Sequence, residues 1–97
     1  MNIIICDDRI DDRKNLSDLL SDYGEKKNYE FAITEYDSGE QLCEEQSALE
    51  ACQILFLDIN MQGMDGLKTA MRIKEKYPKL PVVLVTAYMN YALDGYK

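Results

Sequence analysis

The chain alternates between short, strongly apolar segments and longer segments whose apolar residues recur every three or four positions. The short segments predict strands, mostly buried on both faces, and the longer ones predict amphipathic helices. We predict strands at Asn2–Cys6, Glu30–Tyr36, Gln53–Leu57 and Pro81–Val85. The second strand partly alternates between apolar and polar residues, which is typical of the edge of a sheet. Strands that alternate with helices predict a parallel sheet with helices on both faces.

The first helix is predicted between the first two strands. Its inner face comprises Leu16, Leu19, Leu20 and Tyr23. Asp8 is a candidate N-cap, with Asp11 and Asp12 in the first turn, and Gly24 is a candidate end.

Two further helices and a looser segment are predicted along the rest of the chain. The capping-box spacing of Ser38 and Gln41 predicts a short helix that runs to about Gln46. The next helix spans about Gly66 to Lys76, and its predicted inner residues are Leu67, Ala70, Met71 and Ile73. The tail from Tyr88 to Tyr96 has the composition of a loose helix.

Length, charge and cysteine usage narrow the class of protein. The 97 residues form one domain, 1–97. The net charge of -7, with scattered Lys and Arg, argues against a surface for nucleic acid or an anionic membrane. The 3 cysteines form no CxxC pair and there is no His, which excludes His-based zinc sites and triads. We expect reduced thiols and a cytoplasmic protein without a membrane span.

Acidic residues stand at the ends of two apolar strands. Asp7 and Asp8 follow the first strand, Asp58 follows the third, and Thr86 follows the fourth. Parallel strands deliver these residues to one sheet edge, where such folds bind ligands. Like charges held close together require a divalent cation, a proton or a basic side chain between them.

The same residues suit phosphoryl chemistry around magnesium. Mg²⁺ prefers carboxylate and phosphate oxygens, and one carboxylate is then free to act as the nucleophile. Asp58 stands alone and is the better nucleophile; Thr86 offers a hydroxyl to a phosphoryl oxygen, and Ala87 leaves room for that group. Taken singly, Asp8 is also explained as a helix cap, Asp58 as a turn residue and Thr86 as a loop hydroxyl. Their coincidence at one edge favours a functional site.

Three segments together resemble the receiver domain of two-component response regulators. They are Ile3-Ile4-Ile5-Cys6-Asp7-Asp8, Leu55 to Met61 with Met64-Asp65-Gly66, and Pro81 to Ala87. The resemblance covers nearly the whole chain in order. It implies an α/β, flavodoxin-like (CheY-like) doubly wound parallel sheet with strand order 2-1-3-4-5.

The resemblance also implies a role for each matching residue. Asp58 matches the phosphoacceptor, Asp8 the direct Mg²⁺ ligand, Asp7 its partner through water, Asn60 the backbone carbonyl ligand, and Thr86 the switch hydroxyl. The implied donor is a phosphohistidine of a sensor histidine kinase. The only catalysis implied is transfer of the phosphoryl group to the receiver itself and its later hydrolysis.

The chain departs from the family at two places. Gln62 stands where a proline is usual, and Lys97 comes too early to match the lysine that precedes the fifth strand. We therefore expect a truncated receiver that lacks the fifth strand, the fifth helix and the output domain. An exposed edge of the fourth strand then predicts a dimer or domain exchange through Val82 to Val85 and the following tail. The missing lysine predicts weak or absent retention of the phosphoryl group and switching.

The type of output domain is inferred from the tail of the chain, and two alternative functions compete with the receiver function. The tail from Tyr88 to Lys97 is similar to regulators with a LytTR-type DNA-binding output, which implies a transcription regulator as the parent protein. One rival is a receiver fragment that only binds partners and is not phosphorylated. The other is a magnesium-dependent aspartyl phosphatase, but such enzymes place Asp-x-Asp after the first strand, whereas Asp7 and Asp8 are adjacent.

Overall fold

The computed structural model describes residues 1–61 and 65–85, which form a parallel sheet with helices around it. Its strands are β1 (Asn2–Cys6), β2 (Ala32–Tyr36), β3 (Ile54–Asp58) and β4 (Val82–Val85), in the order β2-β1-β3-β4. Its helices are α1 (Ile10–Lys27), α2 (Gly39–Glu44), α3 (Gln46–Ala51) and α4 (Gly66–Lys76). The predicted flavodoxin-like fold and strand order are confirmed. None of these helices is long and apolar enough to cross a membrane.

The strand β1 lies at the centre of the sheet and is buried on both faces. Ile4 and Cys6 belong to the core beneath α2, α3 and α4, while Ile5, on the opposite face, lines a groove beside α1. The core also contains Leu42, Leu49, Leu55, Leu57, Met61, Ile73 and Leu80. Alternate residues of one strand thus serve two layers of helices, which explains why β1 shows no polar alternation.

Both predicted boundaries of α1 are wrong. Its N-cap is Arg9, which makes no capping hydrogen bond through its side chain, and not Asp8. The carboxylate of Asp7 instead accepts a hydrogen bond from the Arg9 amide at 2.9 Å, so the turn before the helix is closed one residue earlier. The helix also continues past Gly24 to Lys27 and ends at Asn28, whose φ of 59° is left-handed.

Gly24 is needed for close packing rather than for a helix end. A Cβ atom at this position would lie 3.0 Å from the Tyr29 carbonyl oxygen and 3.1 Å from the Phe31 ring. The predicted inner face of α1 is only partly correct: Leu16 and Leu20 are half-buried, but Leu19 and Tyr23 are 66% and 49% exposed. Leu19 lines an open groove beside Phe56 instead of a closed core.

The capping prediction for the segment after β2 is confirmed. The Ser38 hydroxyl accepts a hydrogen bond from the Gln41 amide at 3.1 Å, and α2 begins at the next residue, Gly39. The helix ends earlier than expected, at Glu44, and a separate short helix, α3, follows it. Leu42 and Leu49 anchor these two helices in the core.

The bounds of α4 agree with the prediction, and its buried face agrees in part, since Ile73 is buried and Ala70 packs against the core. Leu67 and Met71 are 53% and 72% exposed, so their assignment to the inner face is wrong. The buried residues are Gly66, Thr69 and Ile73. The Thr69 hydroxyl donates to the Asp65 carbonyl at 2.9 Å, and this bond allows a polar residue to lie in the core.

Candidate metal centre

Three carboxylates meet at the carboxyl edge of the two central strands. β1 pairs with β3 in parallel and Cys6 lies opposite Leu57, so the next residues, Asp7 and Asp58, are delivered side by side. One oxygen each from Asp7, Asp8 and Asp58 lies within 4.8 Å of the others. The strand register alone therefore brings together acids that lie far apart in the sequence.

Burial makes this arrangement electrostatically unfavourable without a cation. Asp7 and Asp58 are only 7% and 9% exposed. Burial raises the pKa of Asp7 from 3.8 to about 6, the hydrogen bond from the Arg9 amide opposes this rise, and the nearby charge of Asp58 adds to it. The site therefore favours a positive species between the carboxylates.

The loop after β3 is held by one hydrogen bond within the loop and one to β4. The Asp58 carboxylate accepts from the Asn60 amide at 3.2 Å, and the Ile59 amide donates to the Val85 carbonyl at 3.2 Å. The Asn60 backbone carbonyl as a metal ligand stays a prediction. Thr86 and Ala87, the predicted switch hydroxyl and access residue, lie outside the described residues.

Arg13 is a residue of the site that the sequence reasoning missed. Its Nη1 donates to the Asp7 backbone carbonyl at 2.7 Å, and its Nε donates to the Glu35 carboxylate at 3.3 Å. The Asp7 amide in turn donates to the Tyr36 carbonyl at 3.1 Å. Side chains on a helix lean towards its N-terminus, so an arginine in the second turn of α1 was a signal for this contact.

Gly66 is a second residue of the site that the sequence reasoning missed. Its backbone packs directly against the backbone of Asp58. A Cβ atom at Gly66 would overlap the Asp58 carbonyl oxygen and the Ile59 Cα atom. The Gly66 amide also donates to the Ile59 carbonyl at 3.2 Å. The N-terminus of α4 is therefore pressed against the end of β3, and only glycine permits this approach.

A cavity of about 200 Å³ opens beside the carboxylates. Its apolar lining includes Phe56, and its polar and charged lining residues are Asp7, Arg9, Asp12, Asn15 and Asp58. A water molecule takes up about 30 Å³ in the liquid, so the cavity has room for several waters or a small anion next to the acids.

The donor set fits a hard cation such as Mg²⁺. Its candidate ligands are carboxylate oxygens, which Mg²⁺ prefers. The neighbouring thiol of Cys6 is fully buried and donates to the Ser38 carbonyl at 3.4 Å. Burial raises the pKa of Cys6 to about 12, so this thiol stays neutral and is a poor metal ligand.

Comparison with known proteins decides the family. The family model described as the response regulator receiver domain matches residues 3–96. The chain belongs to this receiver family. A curated relative, the Positive alginate biosynthesis regulatory protein of Pseudomonas aeruginosa, is 31% identical over 97 residues. The Sensory transduction protein LytT of Bacillus subtilis is 30% identical over 97 residues, and the receiver spans 38% of the length of each relative.

Solved structures place the receiver in the same fold. The response regulator protein TrrA of Thermotoga maritima, in complex with Mg²⁺ and BeF, matches with a TM-score of 0.77 and 28% identity. The match covers 96% of this receiver and 75% of that chain. The receiver domain of AraT from Geobacillus stearothermophilus matches with a TM-score of 0.71 and 26% identity, over 98% of this chain and 70% of that one.

Proposed function

We propose that this receiver accepts a phosphoryl group on Asp58 in the presence of Mg²⁺. The observation that carries the proposal is the convergence of Asp7, Asp8 and Asp58 within 4.8 Å at the end of the two central strands. The similar solved structure of TrrA is a complex with Mg²⁺ and BeF, which supports the same chemistry in this receiver. The proposed metal ligands beside Asp58 are Asp7, Asp8 and the Asn60 carbonyl.

The proposed transfer needs no oxidant or further reactant. An oxygen of the Asp58 carboxylate attacks the phosphorus of a phosphohistidine whose other ring nitrogen is protonated. The new O–P bond forms, and the P–N bond breaks with its electron pair going to the ring, which leaves as neutral imidazole. Bound Mg²⁺ supplies positive charge that offsets the negative charge of the carboxylates and the phosphoryl oxygens. Hydrolysis by water later restores the carboxylate. Thr86 and Ala87 are the proposed residues for holding and admitting the phosphoryl group.

Acetyl phosphate and MgCl₂ provide a direct test by intact-mass spectrometry. We expect the mass of one added phosphoryl group on the wild type and none on Asp58→Asn. Asp37→Asn is the matched control, because Asp37 follows the neighbouring strand β2 but is exposed and lies outside the acidic cluster. A folded wild type that gains no phosphoryl group would instead favour the rival function, a receiver that only binds partners.

We further propose that this receiver works in the cytoplasm, that its phosphodonor is a sensor histidine kinase, and that the parent protein is a LytTR-type transcription regulator. The match to LytT over the whole chain supports this output, as does the tail from Tyr88 to Lys97. Transfer from a phosphorylated kinase to Asp58 tests the donor. Sequencing the parent gene beyond the codon for Lys97 tests the output, and a reading frame without a basic DNA-binding domain would contradict it.

Association through β4 is a separate proposal. Among residues 1–61 and 65–85, β4 pairs only with β3, and Val83 on it is 38% exposed. An unpaired strand edge readily pairs with another chain, and we propose that a second copy of the chain occupies it. Analytical ultracentrifugation should detect a dimer that Val83→Lys weakens. A monomer at all concentrations would contradict the proposal.

A further inference from the structure

We infer that Arg13, held by Glu35, is a positioning residue that fixes the two adjacent carboxylates of the metal centre. Arg13 binds the backbone carbonyl of Asp7 at 2.7 Å and the carboxylate of Glu35 at 3.3 Å, and neither contact involves the proposed phosphoacceptor. Its side chain is 15% exposed, so the guanidinium is largely withdrawn from water. The inference rests on the proposed function, because it concerns the affinity of the same site for Mg²⁺.

The contact with the Asp7 carbonyl has a specific geometric consequence. That carbonyl belongs to the peptide group that joins Asp7 to Asp8, and a peptide group is planar. A hydrogen bond that fixes the oxygen therefore also fixes the plane from which the Asp8 backbone continues. The Asp7 amide, on its other side, is fixed by the Tyr36 carbonyl at 3.1 Å. The backbone that carries both carboxylates is thus held from α1 and from β2.

The guanidinium of an arginine is suited to holding the Asp7 carbonyl and Glu35 at once, and the ammonium of a lysine is not. Arg13 uses Nη1 towards the Asp7 carbonyl, just after β1, and Nε towards Glu35 on β2. A guanidinium presents its donors in a rigid plane, whereas a lysine offers one flexible point charge. The Glu35 carboxylate is 41% exposed, so its main role is to set the orientation of the guanidinium and not to bury a charge.

A positioning role of Arg13 and a purely electrostatic role predict opposite effects of its neutralisation on Mg²⁺ affinity. If Arg13 acted only through its charge, its neutralisation would remove a repulsive cation near the metal, and Mg²⁺ would bind more tightly. If Arg13 fixes the ligands, its neutralisation weakens binding. Loss of a residue that orients metal ligands typically lowers affinity by roughly 10-fold to 100-fold.

The experiment is a titration of the ¹⁵N-labelled, unphosphorylated chain with MgCl₂, followed by amide chemical shifts. We expect Arg13→Gln to raise the Kd for Mg²⁺ by roughly 10-fold or more, as for other residues that orient ligands. We expect an intermediate loss in Arg13→Lys and a smaller one in Glu35→Gln. Lys14→Gln is the matched control, because Lys14 is the exposed neighbour on the same helix, and its Kd should stay the same or fall slightly.

The outcomes separate this inference from the proposed function. A wild type whose shifts do not respond to MgCl₂ would overturn both. A wild type that binds, an Asp8→Asn that does not, and an Arg13→Gln that binds as tightly as Lys14→Gln would overturn only the inference. If Arg13→Gln does not fold, an unchanged Kd in both Arg13→Lys and Glu35→Gln overturns it. In the metal-free state, Arg13→Gln should also shift the Asp8 amide nitrogen, because its peptide carbonyl loses a donor.

Discussion

The backbone of Gly66 lies directly against the carbonyl of Asp58, and a Cβ atom at Gly66 would overlap that oxygen. Gly66→Ala should therefore push the end of β3 away from α4. We expect a loss of stability of about 1–3 kcal/mol, the usual cost of adding a methyl group where there is no room. Urea denaturation checks this, with the exposed substitution Lys68→Ala as control. The two variants should have unequal midpoints; equal midpoints would show that the loop adapts freely.

The raised pKa of Asp7 predicts an unusual pH dependence of stability in the metal-free chain. The native pKa of about 6 lies above the ordinary value of 3.8, so the native state binds the Asp7 proton more readily than the unfolded state. The contribution of Asp7 to stability is therefore unfavourable at pH 7 and improves as the pH falls through about 6 towards 4. Thermal unfolding in EDTA, compared between wild type and Asp7→Asn, measures this contribution.

The difference between these two melting curves is the relevant quantity, because other carboxylates titrate in the same range. Asp7→Asn should be more stable than wild type at pH 7, and its advantage should shrink as the solution is acidified. An advantage that stays constant from pH 7 to pH 4 would mean that Asp7 keeps an ordinary pKa in the folded chain.

Magnesium should stabilise the fold, and chelation should remove this effect. A ligand that binds only the native state stabilises it by about 2.7 kcal/mol at a concentration of 100 times its Kd. The melting temperature should rise with MgCl₂ in the wild type and fall back with EDTA. Asp8→Asn should lose most of the response, since a ligand and part of the negative charge are gone. An equal rise in both proteins would place the cation elsewhere.

Removal of the Ser38 cap should cost stability without affecting the acidic site. The Ser38 hydroxyl satisfies the Gln41 amide at the start of α2, and replacement of such a cap by alanine typically costs about 1 kcal/mol. Ser38→Ala should lower the denaturation midpoint, while Ser47→Ala, within α3, should change it little. The Mg²⁺ affinity of Ser38→Ala should match the wild type; a large loss would mean that α2 helps to hold the metal centre.

The sequence was sufficient for the two central strands, β1 and β3, because their burial leaves a continuous apolar signal. Ile3, Ile4 and Ile5 show this. The sheet order, by contrast, was implied by the resemblance to receiver domains, and the observed order β2-β1-β3-β4 confirms it. The convergence of Asp7 with Asp58 followed from the same argument, since parallel neighbours end at one edge.

The helix details escaped prediction because their determinants are contacts rather than patterns. Gly24 resembles a helix end, yet it is packed against Phe31 inside α1. Thr69 resembles a surface residue, yet its hydroxyl bonds to the Asp65 carbonyl and allows it to be buried, while Leu67 is exposed. Arg13 carries no hydrophobic signal, and its role depends on the position of β2, which a one-dimensional pattern does not contain.

The pairing of β1 with β3 also determines when the acidic site can form during synthesis of the chain. The strand that precedes Asp7 and Asp8 leaves the ribosome before its partner strand with Asp58, which follows only after α1, β2, α2 and α3. Closing such a long loop costs entropy that only the later strand contacts repay. A nascent chain that has emerged no further than α3 therefore holds two of the acids but no convergent acidic site, so a bound cation would stabilise the fold only at a late stage of folding.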